Sequence, residues 1–262
     1  MTRVLVTGAA GRMGRHVLQV LARAPELSLV AALERPGHPE LGREVAPGVK
    51  LSAALEPALD AAQVAIDFSS PASSLALVAG AGPKNVALVI ATTGFDAEGL
   101  RRIQEAARTI PIVMAANFSL GINVLLNLVA EAARQLEHYE IEVLELHHSG
   151  KVDAPSGTAL ALARSAAEAR GENIESTAVY HREGQVGARP ENAIGMQSLR
   201  AGDSVGEHTV YLAGPGERVE LSHRALSRDN FATGALRAAH WVVGKPPTLY
   251  SMRDVLAGTS VK

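Results

Sequence analysis

The chain begins with a strand, a glycine-rich turn and a helix, and this arrangement constrains its fold more than any other feature. The apolar run 4–7 ends at Gly8, and residues 12–24 carry apolar side chains at helical spacing. Gly8, Gly11 and Gly14 form the pattern G-x-x-G-x-x-G between them. Glycines in such a turn allow backbone amides and a helix N-terminus to approach a pyrophosphate closely. The pattern predicts a dinucleotide-binding fold.

Strand-like runs and helix-like segments alternate through the rest of the first half. Ser70-Pro71 is typical of a helix N-cap followed by proline at the first helical position, and Asp96 is a second candidate cap. The alternation predicts a parallel sheet with helices on both faces. The further predicted strands are residues 28–33, 64–68, 86–91 and 110–115.

The pattern changes near Asn117. A long amphipathic helix is predicted, followed by strands with a single helix among them and by a terminal helix. This half therefore reads as an α+β unit with a mainly antiparallel or mixed sheet. The predicted helices are 122–136, 156–169 and 230–243, and the predicted strands are 141–147, 177–181, 194–199, 208–213 and 219–223.

Together these segments predict an α/β protein of two domains. A Rossmann-like dinucleotide-binding domain is expected over residues 1–118 and completed by 229–262. An inserted α+β domain for substrate binding and oligomerisation is expected over 119–228. The absence of a Gly/Ser-rich linker favours a hinge between the domains over a flexible tether.

Composition excludes several functional classes. The formal net charge is -2 and aromatic residues make up 3% of the chain, which argues against a nucleic-acid partner. The chain has no cysteine, so disulfides, thiolate metal sites and cysteine nucleophiles are excluded. Neither a signal-peptide pattern nor a run of about 18 apolar residues is present, so we expect no membrane association and a cytoplasmic location.

The second predicted strand is followed by two charged residues, Glu34 and Arg35, that bear on the choice of cofactor. Glu34 lies 20 residues after Gly14, where an acid is expected to bind a ribose hydroxyl. Arg35 follows directly, and an arginine there can pair with a 2′-phosphate, although a solvated loop cation is the simpler alternative. The first residue favours NAD and the second favours NADP, so use of both cofactors is expected.

Two further segments end predicted strands at the carboxyl edge of the sheet, where open α/β proteins bind ligands. In residues 91–95, threonine hydroxyls beside Gly94 suit a nicotinamide pocket, and an ordinary capping loop is the alternative. Residues 115–118 end the last strand before the change in pattern, which suggests a hinge beside the cofactor.

The most unusual segment is HHSGKVDAPSGTA at 147–159. The helix start at Ser156, Gly157 and Thr158 combines free amides with two hydroxyls, which is a natural carboxylate site. Two imidazoles and an ammonium group lie close in sequence and are able to donate protons. A metal site on His147 and His148 is disfavoured because neighbouring residues of a strand point to opposite faces. One packed and one solvated histidine is the remaining alternative.

The motifs, taken in order, closely resemble the 4-hydroxy-tetrahydrodipicolinate reductase family, also called dihydrodipicolinate reductase, of bacterial lysine and diaminopimelate biosynthesis. The HHxxKxDAPSGTA block is specific for the family, whereas the glycine turn is not. The resemblance covers GAAGRMG at 8–14, LER at 33–35, ATTGFD at 91–96, AANFSLG at 115–121, HHSGKVDAPSGTAL at 147–160, RAGDSVGEHTV at 200–210 and SHRALSR at 222–228.

The resemblance implies reduction of a cyclic dicarboxylate by NADH or NADPH in a two-domain protein that assembles as a homotetramer. It makes His147 and Lys151 the catalytic proton-handling pair and implies no metal. The implied substrate-binding residues are His148, Ser156, Gly157, Thr158 and Arg228. The implied cofactor-binding residues are Gly8, Ala9, Ala10, Gly11, Arg12, Met13, Glu34, Arg35, Ala91, Thr92, Thr93, Ala115, Ala116, Asn117 and Phe118.

The chain departs from the family pattern at two places. Ala91 stands where the family more often has glycine, which bears on how closely a nicotinamide approaches. Ser149-Gly150 replaces a bulkier and often basic pair, so the loop before Lys151 is expected to be more mobile and less positive. Two alternative functions are an aspartate-type amino-acid dehydrogenase and a nicotinamide-binding redox sensor without turnover. Neither explains why His147, Lys151 and the helix start occur together.

Overall fold

The alternation in the first half of the chain produces a mainly parallel sheet with helices on both faces, as predicted. The structure is a computed structural model that describes residues 1–258. Elements are numbered in chain order. The first sheet contains β1 (Thr2–Thr7), β2 (Leu27–Leu33), β3 (Glu44–Ala46), β4 (Val49–Ser52), β5 (Val64–Asp67), β6 (Ala87–Ile90), β7 (Ile112–Met114) and β13 (Leu249–Tyr250).

The strand order of this sheet is β13-β7-β6-β5-β1-β2-β4-β3, and only β3 runs antiparallel to its neighbour. Strand β1 pairs with both β2 and β5, so the chain order reverses there. Open α/β sheets bind their ligands beside such a point, at the carboxyl ends of the strands. The ends of β1, β2, β5 and β6 therefore mark the expected cofactor site.

Six helices cover this sheet in the described part of the chain. Buried residues of α1, α8 and α9 pack on one face, and those of α2, α3 and α4 pack on the other. Their bounds are α1 (Arg12–Leu21), α2 (Leu55–Ala61), α3 (Pro71–Lys84), α4 (Ala97–Ala106), α8 (Asp229–Val242) and α9 (Met252–Ala257).

Both predicted N-caps are confirmed. The Ser70 hydroxyl accepts a hydrogen bond from the Ser73 amide at the start of α3, and the Asp96 carboxylate accepts one from the Gly99 amide at the start of α4. Each cap satisfies an amide that has no partner within its helix.

The second half forms a mixed sheet, as predicted. Its strands are β8 (Glu140–His147), β9 (Ala178–Val179), β10 (Ile194–Arg200), β11 (Glu207–Gly214) and β12 (Glu217–Arg224), and its helices are α5 (Leu120–Gln135), α6 (Gly157–Ala169) and α7 (Ile174–Thr177). The order is β12-β11-β8-β10-β9. Strand β8 runs parallel to β10 and antiparallel to β11.

Alternation along β8 sorts its side chains onto two faces. Ile141 and Val143 are buried against the helices, whereas Leu144 and Leu146 lie half-buried on the other face. The register places Glu145 opposite His208 of β11 and Ser198 of β10, so their side chains share the helix-covered face. Polar groups therefore enter this core at one end of the sheet.

The chain divides into two compact units. Unit 1 comprises Met1–Leu120 and the chain from Arg228 onward, and unit 2 comprises Gly121–Ser227. The sequence placed these divisions after residues 118 and 228. No helix within residues 1–258 is long and apolar enough to cross a membrane.

Several predicted elements differ from the structure. The strand predicted at 177–181 is shorter than expected: the Asn173 side chain accepts a hydrogen bond from the Glu175 amide and starts α7, leaving only Ala178–Val179 as β9. The helix predicted at 12–24 ends at Leu21, three residues before Ala24. Ala24 precedes Pro25, and proline disfavours helical geometry in the residue before it. The hairpin of β3 and β4 was not predicted.

Candidate active site

Strand β8 ends in two polar residues that replace apolar ones on its buried face. Glu145 and His147 follow Ile141 and Val143 at alternate positions, and Glu145 is only 1% exposed. A carboxylate so deeply buried is costly unless it is paired and hydrogen-bonded. The surrounding residues supply those partners.

Several groups donate hydrogen bonds to the Glu145 carboxylate. His147 Nδ1 is hydrogen-bonded to Oε2, while Arg200 Nη2 and the Ser156 amide donate to Oε1 at 2.8 and 3.2 Å. Burial alone would raise the pKa of Glu145, but hydrogen bonds from Arg200 and Ser198 and the charge of His147 hold that pKa below its usual value. Glu145 is therefore an ionised acceptor.

His147 is 9% exposed and lies among charged neighbours. Burial lowers the pKa of its imidazole, Glu145 raises it, and the charges of Lys151 and Arg200 lower it further, so the pKa lies below its usual value. Gly206 closely approaches the free side of the ring, because a Cβ built on Gly206 would lie 2.8 Å from His147 Nε2.

A second buried histidine, which the sequence analysis did not single out, lies beside the first. The rings of His147 and His208 meet edge to face with centroids 5.1 Å apart. His208 Nε2 lies 3.1 Å from the Ser156 hydroxyl oxygen. Burial lowers the pKa of His208 to about 4, so it is neutral near pH 7. Its strand was predicted, but its partners come from β8 and the α6 start.

Glu145, His147 and His208 each offer a ligand atom within 4.8 Å of the other two, a spacing compatible with a metal ion. The guanidinium of Arg200 is already bound to the same carboxylate. A second cation would be repelled by it, and the carboxylate would have to exchange existing donors for a metal. We therefore interpret the three residues as a hydrogen-bonded network.

Lys151 lies in the loop between β8 and α6. Its Nζ donates to both carboxylate oxygens of Asp153 at 2.7 and 2.8 Å, and its amide donates to the carbonyl of His148. The Lys151 side chain is 19% exposed and the Asp153 side chain 56% exposed. The ammonium group is thus held at the surface by a partner that an incoming anion is able to replace.

The start of α6 has the features that were predicted for an anion site. Ser156 caps the helix by accepting a hydrogen bond from the Ala159 amide at 3.1 Å. Gly157 is exposed and Thr158 half-buried in the first turn, whose amides have no partner within the helix. His148 is half-buried, and its amide donates to the Ser204 carbonyl. Unit 2 therefore brings together all the predicted substrate and catalytic residues except Arg228.

Arg228 lies in unit 1, where it immediately precedes α8. Its backbone is in the helical region, and the side chain is half-buried. Its assignment to the substrate site therefore stays a prediction.

In unit 1 the glycine turn has the shape that a pyrophosphate site needs. Gly8 has φ +65°, and a Cβ on Gly14 would collide with the Gly8 carbonyl oxygen. Gly11 caps α1 without a side chain. The predicted residues Arg12 and Met13 open the helix. Close packing of the turn against the helix start thus allows a pyrophosphate to approach the first helical amides at the carboxyl end of β1.

Glu34 lies beside this turn, as the spacing predicts. Its carboxylate accepts hydrogen bonds from the amides of Ala10 and Arg35 at 3.2 and 3.0 Å. Ala9 differs, since its amide donates to the Leu33 carbonyl. A cavity of about 160 Å³ is lined by residues that include Gly8, Glu34 and Arg35. The cavity suits part of a nucleotide, and the carboxylate of Glu34 and the guanidinium of Arg35 lie at its wall.

The segment after β6 differs in detail from its predicted role. Thr92 is buried, and its hydroxyl donates to Asp67 at 2.9 Å and accepts from the Ser69 amide at 3.0 Å. Thr93 is exposed and Ala91 half-buried. The Thr92 hydroxyl therefore stabilises the loop, Ala91 packs against the core of unit 1, and Thr93 faces outward.

The segment after β7 likewise contains both exposed and buried residues. Ala115 is half-buried and Ala116 exposed, while the Asn117 side chain accepts a hydrogen bond from the Ser119 amide at 2.8 Å. Phe118 is 2% exposed and meets Phe68 edge-on with ring centroids 6.3 Å apart. Phe118 therefore belongs to the core of unit 1, so only its backbone is available to a ligand.

Comparisons with known proteins agree with the motifs. The family model described as dihydrodipicolinate reductase, N-terminus, matches residues 2–118, and the one described as dihydrodipicolinate reductase, C-terminus, matches 121–256. The 4-hydroxy-tetrahydrodipicolinate reductase of Anaeromyxobacter dehalogenans (strain 2CP-1) is 47% identical, with 98% of each chain covered. The enzyme of the same name from Geobacter sulfurreducens is 46% identical, covering 98% of this chain and 99% of that one.

The fold is also found among solved structures. A dihydrodipicolinate reductase from Paenisporosarcina sp. TG-14, described as dipicolinate-bound, matches with a TM-score of 0.78 and 24% identity over 96% of this chain and 97% of that chain. That likeness concerns the fold, whereas the curated relatives and the two family models span nearly the whole sequence. The chain therefore is an oxidoreductase and belongs to the family of 4-hydroxy-tetrahydrodipicolinate reductases, also called dihydrodipicolinate reductases.

Proposed function

We propose that this chain reduces 4-hydroxy-tetrahydrodipicolinate to tetrahydrodipicolinate in the cytoplasm, in lysine and diaminopimelate biosynthesis. NADH or NADPH supplies a hydride to the ring; with one proton taken up, the 4-hydroxyl leaves as water and NAD⁺ or NADP⁺ is formed. The observation that carries the proposal is the position of His147 and Lys151 beside the α6 start within unit 2. This arrangement combines an anion site with groups that hold protons.

The start of α6 binds a substrate carboxylate in this proposal. The amides of Gly157 and Thr158 and the Thr158 hydroxyl face a negative group, which the helix dipole also favours. His148 adds a second donor. Arg228 binds the other carboxylate as a charged clamp.

Lys151 and His147 handle the proton. Lys151 exchanges Asp153 for the substrate carboxylate and remains the nearer proton donor, because an ammonium group beside a dianion keeps its charge. His147 assists or orients it, with Nδ1 hydrogen-bonded to Glu145. Both residues act on the ring atom that hydride addition leaves electron-rich.

The cofactor residues fit a dinucleotide. Gly8, Ala9, Ala10, Gly11, Arg12 and Met13 surround the pyrophosphate, and Ala91, Thr92, Thr93, Ala115, Ala116, Asn117 and Phe118 surround the nicotinamide. The closely packed turn of Gly8 and Gly14 is the structural feature that supports this fit. Glu34 binds a ribose hydroxyl and Arg35 a 2′-phosphate, so both nicotinamides are used.

We also propose that the active form is a homotetramer assembled through the face of the unit 2 sheet opposite its helices. Leu144, Leu146, Leu199 and Tyr211 lie on that face, and Leu199 is 48% exposed. These apolar side chains, above all the exposed Leu199, favour burial of this face against another copy. Light scattering should give about four times 27.4 kDa, and Leu199→Asp should lower that mass. A monomeric wild type would refute the tetramer.

The activity is tested by following cofactor oxidation at 340 nm with freshly generated substrate and each nicotinamide in turn. Oxidation that depends on both substrate and enzyme is expected with either cofactor. Pyridine-2,6-dicarboxylate should compete with the substrate, because it presents two carboxylates on a planar ring. No oxidation with either cofactor would refute the proposed function, and no competition at millimolar concentration would refute the dicarboxylate site.

A further inference from the structure

We infer that Glu145 is a positioning residue for this reaction: its carboxylate fixes which nitrogen of His147 carries the proton and holds that ring in register with the start of α6. The inference rests on the proposed function, in which His147 handles protons. No part of it requires Glu145 to touch the substrate, since its side chain is fully buried.

The direction of each hydrogen bond follows from the chemistry of the donors. An ionised carboxylate only accepts, so His147 Nδ1 must carry the proton in its contact with Oε2. Nε2 of the neutral ring is then unprotonated, and the backbone of Gly206 approaches it closely. Glu145 therefore selects the tautomer that presents a basic nitrogen outside the network.

Arg200 makes this selection stable. Its guanidinium donates to Glu145 Oε1 at 2.8 Å and to the Asp153 carbonyl at 2.7 Å, so the buried carboxylate has a counter-charge. A buried carboxylate without such a partner would take up a proton and become able to donate. Glu145 would then lose its control of the His147 tautomer.

The same oxygen also holds the anion site. Glu145 Oε1 accepts from the Ser156 amide, and Ser156 in turn caps α6 and contacts His208. A single carboxylate thus connects the proton-handling ring on β8 to the helix start that binds the substrate. Its replacement should affect both kcat and the affinity for a dicarboxylate.

The charged groups around His147 determine how its titration responds. Glu145 on the same strand opposes burial by raising the imidazole pKa, while Arg200 on β10 and Lys151 in the following loop lower it. His208 on β11 contacts the ring and is neutral near pH 7. Removing the Glu145 charge therefore lowers the pKa of His147.

Glu145→Gln tests the inference with little change in shape. The Gln oxygen should remain toward Arg200 and the Ser156 amide, because both are donors, which turns the Gln amide group toward His147 Nδ1. That nitrogen must then accept, and the proton moves to Nε2. In ¹⁵N-histidine spectra the His147 signals, assigned by their loss in His147→Gln, should change from the Nδ1-protonated to the Nε2-protonated form.

The same variant should reduce turnover without affecting the cofactor. We expect kcat to fall at least tenfold, the inhibition constant of pyridine-2,6-dicarboxylate to rise a few-fold, and NADPH affinity to stay within twofold. Glu145 raises the pKa of His147, so its neutralisation lowers that pKa. The pH at which activity changes with the protonation of His147 should therefore be lower in Glu145→Gln than in the wild type.

Glu131→Gln is the matched control. Glu131 lies on α5 of the same unit, its side chain is 49% exposed, and its carboxylate accepts hydrogen bonds from Arg134 and Gln135. It should leave the His147 tautomer unchanged and kcat within twofold. If Glu145→Gln does not fold, Glu145→Asp is measured in its place. An aspartate carboxylate still only accepts hydrogen bonds, so His147 should stay in its Nδ1-protonated form in that variant.

An unchanged tautomer and an unchanged pH profile in folded Glu145→Gln would overturn the inference, as would Nε2 protonation in the wild type. The spectra need no turnover. A wild-type protein without reductase activity would therefore refute the proposed function separately from the role of Glu145 in holding the ring.

Discussion

At the scale of single residues, the chemistry depends on a strand that changes from apolar to polar along one face. The positions of Glu145 and His147 follow the same alternation as Ile141 and Val143, so both side chains are buried with limited freedom. Burial strengthens their hydrogen bond and makes each of them costly to leave unpaired. The imidazole is therefore held in one orientation before any substrate binds.

A substitution at Gly206 tests how closely the backbone must approach the His147 ring. Its φ is +153°, and an added Cβ would lie 2.8 Å from His147 Nε2. Gly206→Ala should lower kcat at least tenfold because the ring must move, while NADPH affinity is unchanged. Steady-state kinetics and nucleotide titration measure the two effects.

The matched control is Gly202→Ala in the same loop. Gly202 also has a positive φ, +59°, but a Cβ there meets nothing within 4 Å. It should therefore reduce stability by about 1 kcal/mol and leave kcat nearly unchanged. Equal losses of kcat in both variants would mean that backbone strain, not contact with His147, is responsible.

A substitution at Arg35 tests the roles proposed for the charges of Glu34 and Arg35 in nucleotide binding. Its side chain is exposed and has no ion-pair partner within residues 1–258, whereas Glu34 is engaged by two amides. A charged hydrogen bond to a 2′-phosphate contributes about 1.5–3 kcal/mol. Arg35→Ala should therefore weaken NADPH about tenfold to a hundredfold and NADH much less. Equal weakening would make Arg35 only a loop cation, and the wild type should prefer neither nicotinamide by more than about a hundredfold.

At the scale of elements, local signals determine the outcome wherever they are strong. The turn between β1 and α1, the caps Ser70 and Asp96, and the start of α6 at Ser156 each depend on residues close in sequence, and all were predictable. The short helix at 174–177 was not predicted, because threonine and valine favour a strand while Asn173 caps a helix just before them.

The start of α6 gives a prediction at this scale. Thr158 lies in the first helical turn, half-buried, beside amides without helical partners. Thr158→Val removes a hydroxyl and keeps the shape, so the substrate KM should rise about tenfold. Nucleotide affinity, measured by titration, should stay within twofold because Thr158 lies in unit 2 and the nucleotide residues lie in unit 1. A change in NADPH affinity as large as the change in KM would argue against this division.

At the scale of the whole molecule, the hydrogen-bonded network around Glu145 depends on contacts between residues distant in sequence. The motif at 147–158 identifies His147, Lys151 and the helix start without a structure. Arg200 and His208 come from β10 and β11, 55 and 63 residues after Glu145. Strand pairing brings them together, and neither composition nor local spacing specifies that register.

Burial of these groups makes the stability of the fold depend on pH. His208 has a pKa of about 4 in the folded protein, lowered by burial from 6.5. Between these values the unfolded chain binds a proton at His208 that the folded chain does not, so stability falls by up to about 3 kcal/mol as pH drops from 6.5 to 4. Burial lowers the pKa of His147 and His223 in the same direction.

Thermal unfolding from pH 7 to pH 4 measures this dependence. His208→Gln should make the decline in Tm shallower over that range. His138→Gln is the control, because the His138 side chain is 91% exposed and its removal should leave the slope unchanged. Identical slopes in all three proteins would show that His208 titrates normally.

The central claim is that Lys151 and His147 act as a proton-handling pair on the reduced substrate. Positioned proton transfer contributes about 10²- to 10⁴-fold in rate, and paired groups give non-additive losses. The most direct test is kcat of Lys151→Ala at saturating substrate, with deuterated cofactor used to show that chemistry limits the rate. The account predicts a loss in that range with cofactor binding retained, and little further loss when His147→Ala is added. A kcat within threefold of the wild type, with a primary isotope effect present, would contradict it.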